Sequence, residues 1–324
     1  MKRSLLSWFV LLAGCGGEPI TTQLEEPLRV SDAQFREGEM PGLPPLTGDE
    51  ILAGVEPTAP YISSFDFVGN RLAAGEPDRA ASGRTSVGAV SVGLQLENHG
   101  TGFWLLPVGA ADVVNNNEPT WNATVSFNPD LAPGKHRLLA AAFDDDGRSG
   151  TRGSVDVCIS RVVPDNRNVC DPRIAPPAFV ASLEWDTEVD LDLKVVTPAG
   201  KVVDPRHPST TPDDEDGEVD PEAPGAGIID IDSNRDCVPD GRRRENLIFQ
   251  DQPAPGTYLV YANLFDACGH DSVRFELSLH QSTAGSEPDT YTVIETYRQA
   301  GEILALQANG GKALGTFVTE FIVQ

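Results

Sequence analysis

Positive charge is scarce in this 324-residue chain: 24 Lys and Arg stand against 49 Asp and Glu, a formal net charge of −25. So acidic a surface repels phosphate backbones, which excludes nucleic acid as a partner and leaves cations, divalent metal ions above all, as natural ones. Long apolar runs are also lacking, and the run over residues 4–12 is too short to cross a bilayer as a helix. Sustained helical periodicity is missing, while Gly (31) and Pro (26) are plentiful, so the chain reads as turn-rich β structure. None of the five histidines falls in H-E-x-x-H or H-x-H, and there is no G-x-S-x-G elbow. Carboxylate pairs of the glycosidase kind arise by chance among 49 acids and single out nothing. These absences favour a non-enzyme.

The N-terminus carries an address. Met1-Lys2-Arg3 is a short basic start, followed by the apolar run and then Leu12-Ala13-Gly14-Cys15. This is the layout of a secretory signal, and small residues before a cysteine let a peptidase grip the extended chain. The four positions resemble the lipobox of bacterial lipoproteins. The resemblance implies cleavage before Cys15, lipidation of its thiol, and a membrane partner through that lipid. Gly16 in place of an aspartate implies the bacterial outer membrane, on its periplasmic or its surface face.

Removing Cys15 leaves four cysteines, which allow three connectivities. Pairing by proximity within each presumed domain gives Cys158–Cys170 and Cys237–Cys268, contributing roughly 3 and 4 kcal/mol in the loop-entropy account. Metal ligation by the four thiols is the competing reading, and the lack of any C-x-x-C spacing argues against it.

At roughly 100–200 residues per domain, the length suggests two modest domains. Residues 15–57 show no periodicity and are interrupted by Pro19, Pro27, Pro41, Pro44 and Pro45, as expected of a flexible, disordered tether. A short helix around 31–37 would have nothing to pack on. Period-two alternation begins near Tyr61 and recurs at 90–97, 123–127 and 155–159, with turn chemistry such as Ala132-Pro133-Gly134-Lys135 between. The stretch 133–147 resembles the late strands of bacterial immunoglobulin-like domains, which implies a β-sandwich over 58–163. Trp104 and Trp121 offer a stacking platform for a sugar if exposed, and core burial is their other fate. A proline-rich boundary precedes a second antiparallel β domain over 176–324, interrupted by an acidic loop at 204–226. Seven acids and no base fall within 213–222, too dense a run of like charge to pack. The expected fold class is therefore all-β, two antiparallel sandwiches behind a tether.

Two segments of the second domain place acids deliberately. In Val189-Asp190-Leu191-Asp192-Leu193 the aspartates alternate with apolar residues, so both point to one side of a strand, roughly 6.5–7 Å apart. Ile229-Asp230-Ile231-Asp232 repeats the device. Four carboxylates on neighbouring strands would repel one another unless a cation sat among them. Ca²⁺, which takes six to eight oxygen ligands, fits better than Mg²⁺. An acidic solvated face is the other reading. From Asp232 onward, Asn234, Asp236 and Asp240 follow at relative positions 3, 5 and 9, a staggering that wraps a loop onto one ion. Cys237 and Arg243 depart from the EF-hand pattern. The spacing resembles the calcium loops of thrombospondin type 3 repeats.

At larger scale, Trp185, Asp190-Leu191-Asp192-Leu193, Asp230-Ile231-Asp232, Glu245-Asn246 and Pro255-Gly256-Thr257-Tyr258 resemble a family of uncharacterised secreted bacterial β-sandwiches akin to the prepeptidase C-terminal type. Lys194 stands where that family has histidine. Strand alternation, loop spacing and this resemblance together give an expected structural Ca²⁺ site drawn from Asp190, Asp192, Asp230, Asp232, Asn234, Asp236, Asp240 and, through the resemblance, Glu245, and no residue is assigned a catalytic role. The expected role is a non-catalytic, lipid-anchored binding or structural module with a polysaccharide or protein partner. The alternative is an accessory or weak hydrolase.

Overall fold

A computed structural model describes residues 25–54, 60–69, 71–73, 77–115, 117–211 and 223–324. Cys15 and the acidic stretch 213–222 lie outside them. The chain divides into two compact units. One comprises Met1–Val68, Pro77–Asn128 and Arg137–Val155, and the other Gly69–Glu76, Pro129–His136 and Asp156–Gln324.

The architecture is all-β, built from antiparallel sheets apart from one short parallel pairing of residues 71–72 with 158–159, with a single five-residue α-helix among the described residues, α1 (Gly48–Leu52). The strands before residue 160 are β1 (Leu28–Val30), β2 (Gln34–Glu37), β3 (Ile62–Phe67), β4 (Arg71–Leu72), β5 (Arg79–Thr85), β6 (Ser91–Leu96), β7 (Gly102–Pro107), β8 (Ala111–Asp112), β9 (Glu118–Phe127), β10 (Gly134–Phe143) and β11 (Gly153–Ile159). One sheet has the order β1-β9-β5-β3, with β8 on β9, and another the order β2-β7-β6-β10-β11-β4. Alternation drives them: Val92, Leu94 and Leu96 on β6 and Trp121, Ala123, Val125 and Phe127 on β9 are all buried.

Part of the expected tether is built into this fold. Leu28 and Val30 are buried where β1 pairs with β9, and Met40 packs with Phe103, Leu139 and Phe143. Prolines at 27, 41, 44 and 45 hide these short strands from a periodicity reading, because three alternating residues are too few to register. The segment around 31–37 is likewise strand β2, paired with β7, rather than helix. Trp121 is 1 % exposed and closed to any sugar. Trp104 is half-buried, with Phe35 at 5.2 Å and its indole N–H donating to the Leu28 carbonyl.

The later strands are β12 (Phe179–Trp185), β13 (Asp190–Val196), β14 (Val202–Val203), β15 (Gly227–Ile229), β16 (Arg244–Phe249), β17 (Gly256–Asp266), β18 (Ser272–Ala284), β19 (Tyr291–Leu304) and β20 (Thr316–Val323). They form two sheets, β15-β16-β12-β18-β19 and β14-β13-β17-β20. One core lies between them, with Leu183, Leu191, Leu193, Leu247, Val260 and Leu277 fully enclosed. Phe179, Phe249, Tyr258 and Phe321 stack and edge against one another at the end near the C-terminus. Disulfides join Cys158 to Cys170 and Cys237 to Cys268, with Cα separations of 5.8 and 5.5 Å. The second ties the loop after β15 to the turn after β17.

Candidate metal centre

On β13 the apolar set Leu191, Leu193 and Val195 faces the core, which sends Asp190, Asp192 and Lys194 to the opposite side. That outer side is not solvated. Lys194 is 3 % exposed and donates from Nζ to the carbonyls of Gly311 (3.1 Å) and Ala313 (3.2 Å), with Asp204 Oδ2 at 3.7 Å. Asn263, opposite Asp192 on β17, donates from Nδ2 to the same Ala313 carbonyl at 3.0 Å. The chain thus folds a loop between β19 and β20 back over this face. Gly315 makes the approach workable, since a Cβ there would lie 2.6 Å from the Asn263 Cα.

At the end of β13 the register against β17 shifts between Asp190 and Leu191, a bulge that inserts Phe265 between the partners of these two residues. Phe265 lies under the Arg206 guanidinium, 4.7 Å from the ring centroid. Here the carboxylates of Asp190, Asp192 and Asp232 converge, each offering one oxygen within 4.8 Å of the others. Oxygens on one Ca²⁺, at ~2.3–2.6 Å from it, lie no more than about 5 Å apart, so the spacing fits. They open on a cavity of about 40 Å³ lined also by Pro205, Arg206, Arg235, Asp236 and Phe265, which is room for an ion and little else.

Electrostatics sharpen the case. Burial, then the neighbouring charges of Asp232, Asp236 and Asp266, push Asp190 up to about 6, against the opposing N–H of Asp236. Burial and Asp190 push Asp192 up to about 7, against Lys194. Burial also raises Asp232, countered chiefly by Arg235. Asp192 is 7 % exposed, and its carboxylate accepts no hydrogen bond among the described residues. The carboxylates therefore face one another with too little positive charge between them, the electrostatics of a group able to hold a metal ion.

Three of the eight expected ligands are brought together, and the other five are engaged otherwise. Asp230 faces away, with both oxygens on Asn246, at 2.9 Å to its N–H and 2.7 Å to its side-chain amide. The β15 strand ends at Ile229, so the second Asp-x-Asp pair does not share a strand face as the first does. Asn234 is buried with a left-handed backbone, donating to the Val189 carbonyl and accepting from the Asp240 N–H. Asp240 accepts from Ser233 Oγ and the Arg242 N–H. These contacts shape the loop from inside, so the loop does not wrap alternate side chains around one ion. Asp236 stands on the cavity wall with an exposed side chain 3.5 Å from Arg235. Glu245 is fully buried and accepts from the Leu193 N–H (2.7 Å) and the Ser233 N–H (3.2 Å). Burial and Asp192 raise it well above the ordinary carboxylate range.

Sequence reasoning missed Lys194, Asp204 and Asn263 as the floor of this site. Their signal was the outward alternation of β13 and β17. Alternation alone does not say what covers that face, because the covering loop over 305–315 comes from a distant part of the chain.

No family model matches the sequence, and no curated protein matches it. Solved structures similar to the chain include the C-terminal domain of the Streptococcus agalactiae AgI/II polypeptide BspA. It is 10 % identical, with a TM-score of 0.25, over 74 % of this chain and 99 % of that one. A tetra-tandem repeat in the extending region of a large adhesion protein is 10 % identical, with a TM-score of 0.19, over 74 % and 64 %. The structure of Gaeumannomyces graminis manganese lipoxygenase with part of the zonadhesin of Komagataella pastoris is 12 % identical, with a TM-score of 0.18, over 76 % and 95 %. Likenesses of this size carry no argument about activity or partners.

Proposed function

We propose that this chain is a non-catalytic envelope module, anchored at the outer membrane through a lipid on Cys15, whose second sandwich holds a structural Ca²⁺. One observation carries the metal: Asp190, Asp192 and Asp232 converge within 4.8 Å on an ion-sized cavity, and Asp192 is buried there without a hydrogen-bond partner among the described residues. Extracellular calcium modules bind at ~10⁻⁴–10⁻³ M, and tenfold saturation stabilises a fold by only ~1.4 kcal/mol. Such a site fixes the loop 230–243 against β13 and gives the surface a defined shape for a polysaccharide or protein partner.

Calorimetric titration of the purified protein with Ca²⁺ tests the reading. A single site in that affinity range is expected, and Asp190→Asn/Asp192→Asn abolishes it; a flat trace for the unaltered protein removes the proposal. The anchor has its own test. Cys15→Ala moves the protein from the membrane fraction to the soluble one, and retention in the membrane overturns lipidation.

A further inference from the structure

The second compact unit holds another feature, independent of the carboxylates. In the loop before β12, Arg167 adopts φ +73°, a left-handed backbone that long side chains avoid and that asparagine and aspartate tolerate. Most other non-glycine residues in this conformation are Asn or Asp. The one other arginine, Arg243, uses its side chain on the Asp186 carbonyl. Arg167 has no such return. Its guanidinium makes no hydrogen bond or ion pair among the described residues, and its Nε is buried without a partner.

The loop that imposes this conformation is firmly built. The Asp165 carboxylate accepts the N–H groups of Arg167 and Val169, each at 3.0 Å. The Asn168 side chain, 4 % exposed, donates to the carbonyls of Pro172, Ile174 and Tyr291. Cys170 is bonded to Cys158. A backbone outlier that no internal contact of its own side chain rewards points to a function for that side chain outside the fold.

Arg167 lines a polar cavity of about 450 Å³, within the ~300–1,000 Å³ range of small-ligand clefts. Lys135 and Asp156 stand on its wall as a 2.7 Å ion pair, and Arg173 grips Asp171 through two hydrogen bonds of 2.8 and 2.9 Å. Each pair sets donors beside acceptors, the arrangement that sugar hydroxyls satisfy in both directions. The remaining unpaired guanidinium, in a chain of net charge −25, suits one carboxylate held by two parallel hydrogen bonds. We propose that this cavity binds an acidic saccharide, a hexuronate whose carboxylate is taken by Arg167 and whose hydroxyls meet the Lys135–Asp156 and Arg173–Asp171 pairs. It gives the surface-binding role a ligand class, and it stands or falls apart from the Ca²⁺ site.

The test is calorimetry of the purified full chain with oligogalacturonate, with neutral galactose oligomers of equal length, and with a short peptide bearing a free C-terminal carboxylate. The uronate is expected to bind at least tenfold more tightly than either comparison. Arg167→Gly is the informative variant, because glycine takes the left-handed backbone freely. It is expected to keep the melting temperature while uronate affinity falls roughly ten- to hundredfold. Arg167→Gln, judged by the same loss, serves if the glycine variant does not fold. Uronate binding no tighter than the neutral oligomer, undiminished binding by the folded variant, or preference for the peptide overturns the proposal. A flat Ca²⁺ trace leaves it intact.

Discussion

Glu245→Ala is expected to destabilise the second unit by about 2–6 kcal/mol, the largest loss from any single change considered for this protein. The carboxylate sits on β16 of one sheet, yet it accepts the Leu193 N–H on β13 of the other sheet and the Ser233 N–H of the loop joining β15 to β16. Truncation leaves both donors buried and unpaired, and each costs ~1–3 kcal/mol. The acid is itself held against its own ionisation by burial and by Asp192, so part of that cost returns when the charge is removed. Glu245→Gln falls between the two, since its amide oxygen satisfies one donor while its NH₂ confronts the other. Urea unfolding reads the effect as a fall in midpoint at constant slope. A midpoint for the alanine variant within ~0.5 kcal/mol of the parent would show that water replaces the carboxylate and that it clips nothing together. Ser233 lies beside Asp232, so the same variants also loosen the third carboxylate and weaken Ca²⁺ binding.

Glu245 marks the boundary of what was legible in the amino-acid order. Alternation such as Phe179, Ala181, Leu183 and Trp185 encodes strand and face together, so the all-β class followed directly. Asp190 and Asp192 were legible for the same reason: a polar residue at every second place on an apolar strand must lie on its other face. What alternation does not encode is what covers that face. Lys194 and Asn263 became buried floor through a loop more than forty residues from Asn263, and nothing in β13 or β17 announces it. Asp230 misled because Ile229-Asp230-Ile231-Asp232 alternates like a strand, whereas the strand stops at Ile229 and Asn246 takes the Asp230 carboxylate. The loop after Asp232 misled differently. Its spacing resembles a calcium loop, but with the disulfide at Cys237 and left-handed residues Asn234 and Asp236 the backbone buries Asn234 and leaves the Asp236 and Asp240 side chains exposed. Spacing in a loop constrains ligation only when the backbone path is already known.

Without metal, the protein is expected to lose stability as pH rises from about 4 to 7, and Ca²⁺ at about ten times its Kd is expected to offset ~1.4 kcal/mol of that loss at the upper end. The sign follows from linkage. Asp190 and Asp192, ordinarily near 3.8, titrate at about 6 and about 7 in the folded chain, so the fold binds protons that the unfolded chain has already released. Below about 4 both states are protonated and the pair contributes nothing. Between 4 and 7 the folded state alone holds the protons, and the advantage of keeping the carboxyls neutral fades as they ionise. Above 7 the repulsion is fully present. The two groups are coupled and partly screened by water, so the loss across this window is on the order of 2–4 kcal/mol for the pair rather than the sum of independent shifts. A divalent ion needs the carboxylates ionised. Its affinity therefore climbs through pH 6–7 and levels above, and binding near pH 6.5 expels about one proton from the pair. Melting curves across pH, with chelator and with Ca²⁺, read the two slopes. Calorimetry in two buffers of different ionisation enthalpy counts the protons. General repulsion within a chain of net charge −25 acts in the same direction, which Asp192→Asn separates: it flattens the metal-free slope while leaving the rest of the acidic surface in place. A metal-free protein that gains stability from about pH 4 to 7, or Ca²⁺ binding with no proton release, would mean that these carboxylates are already solvated and that no ion is needed to hold them together.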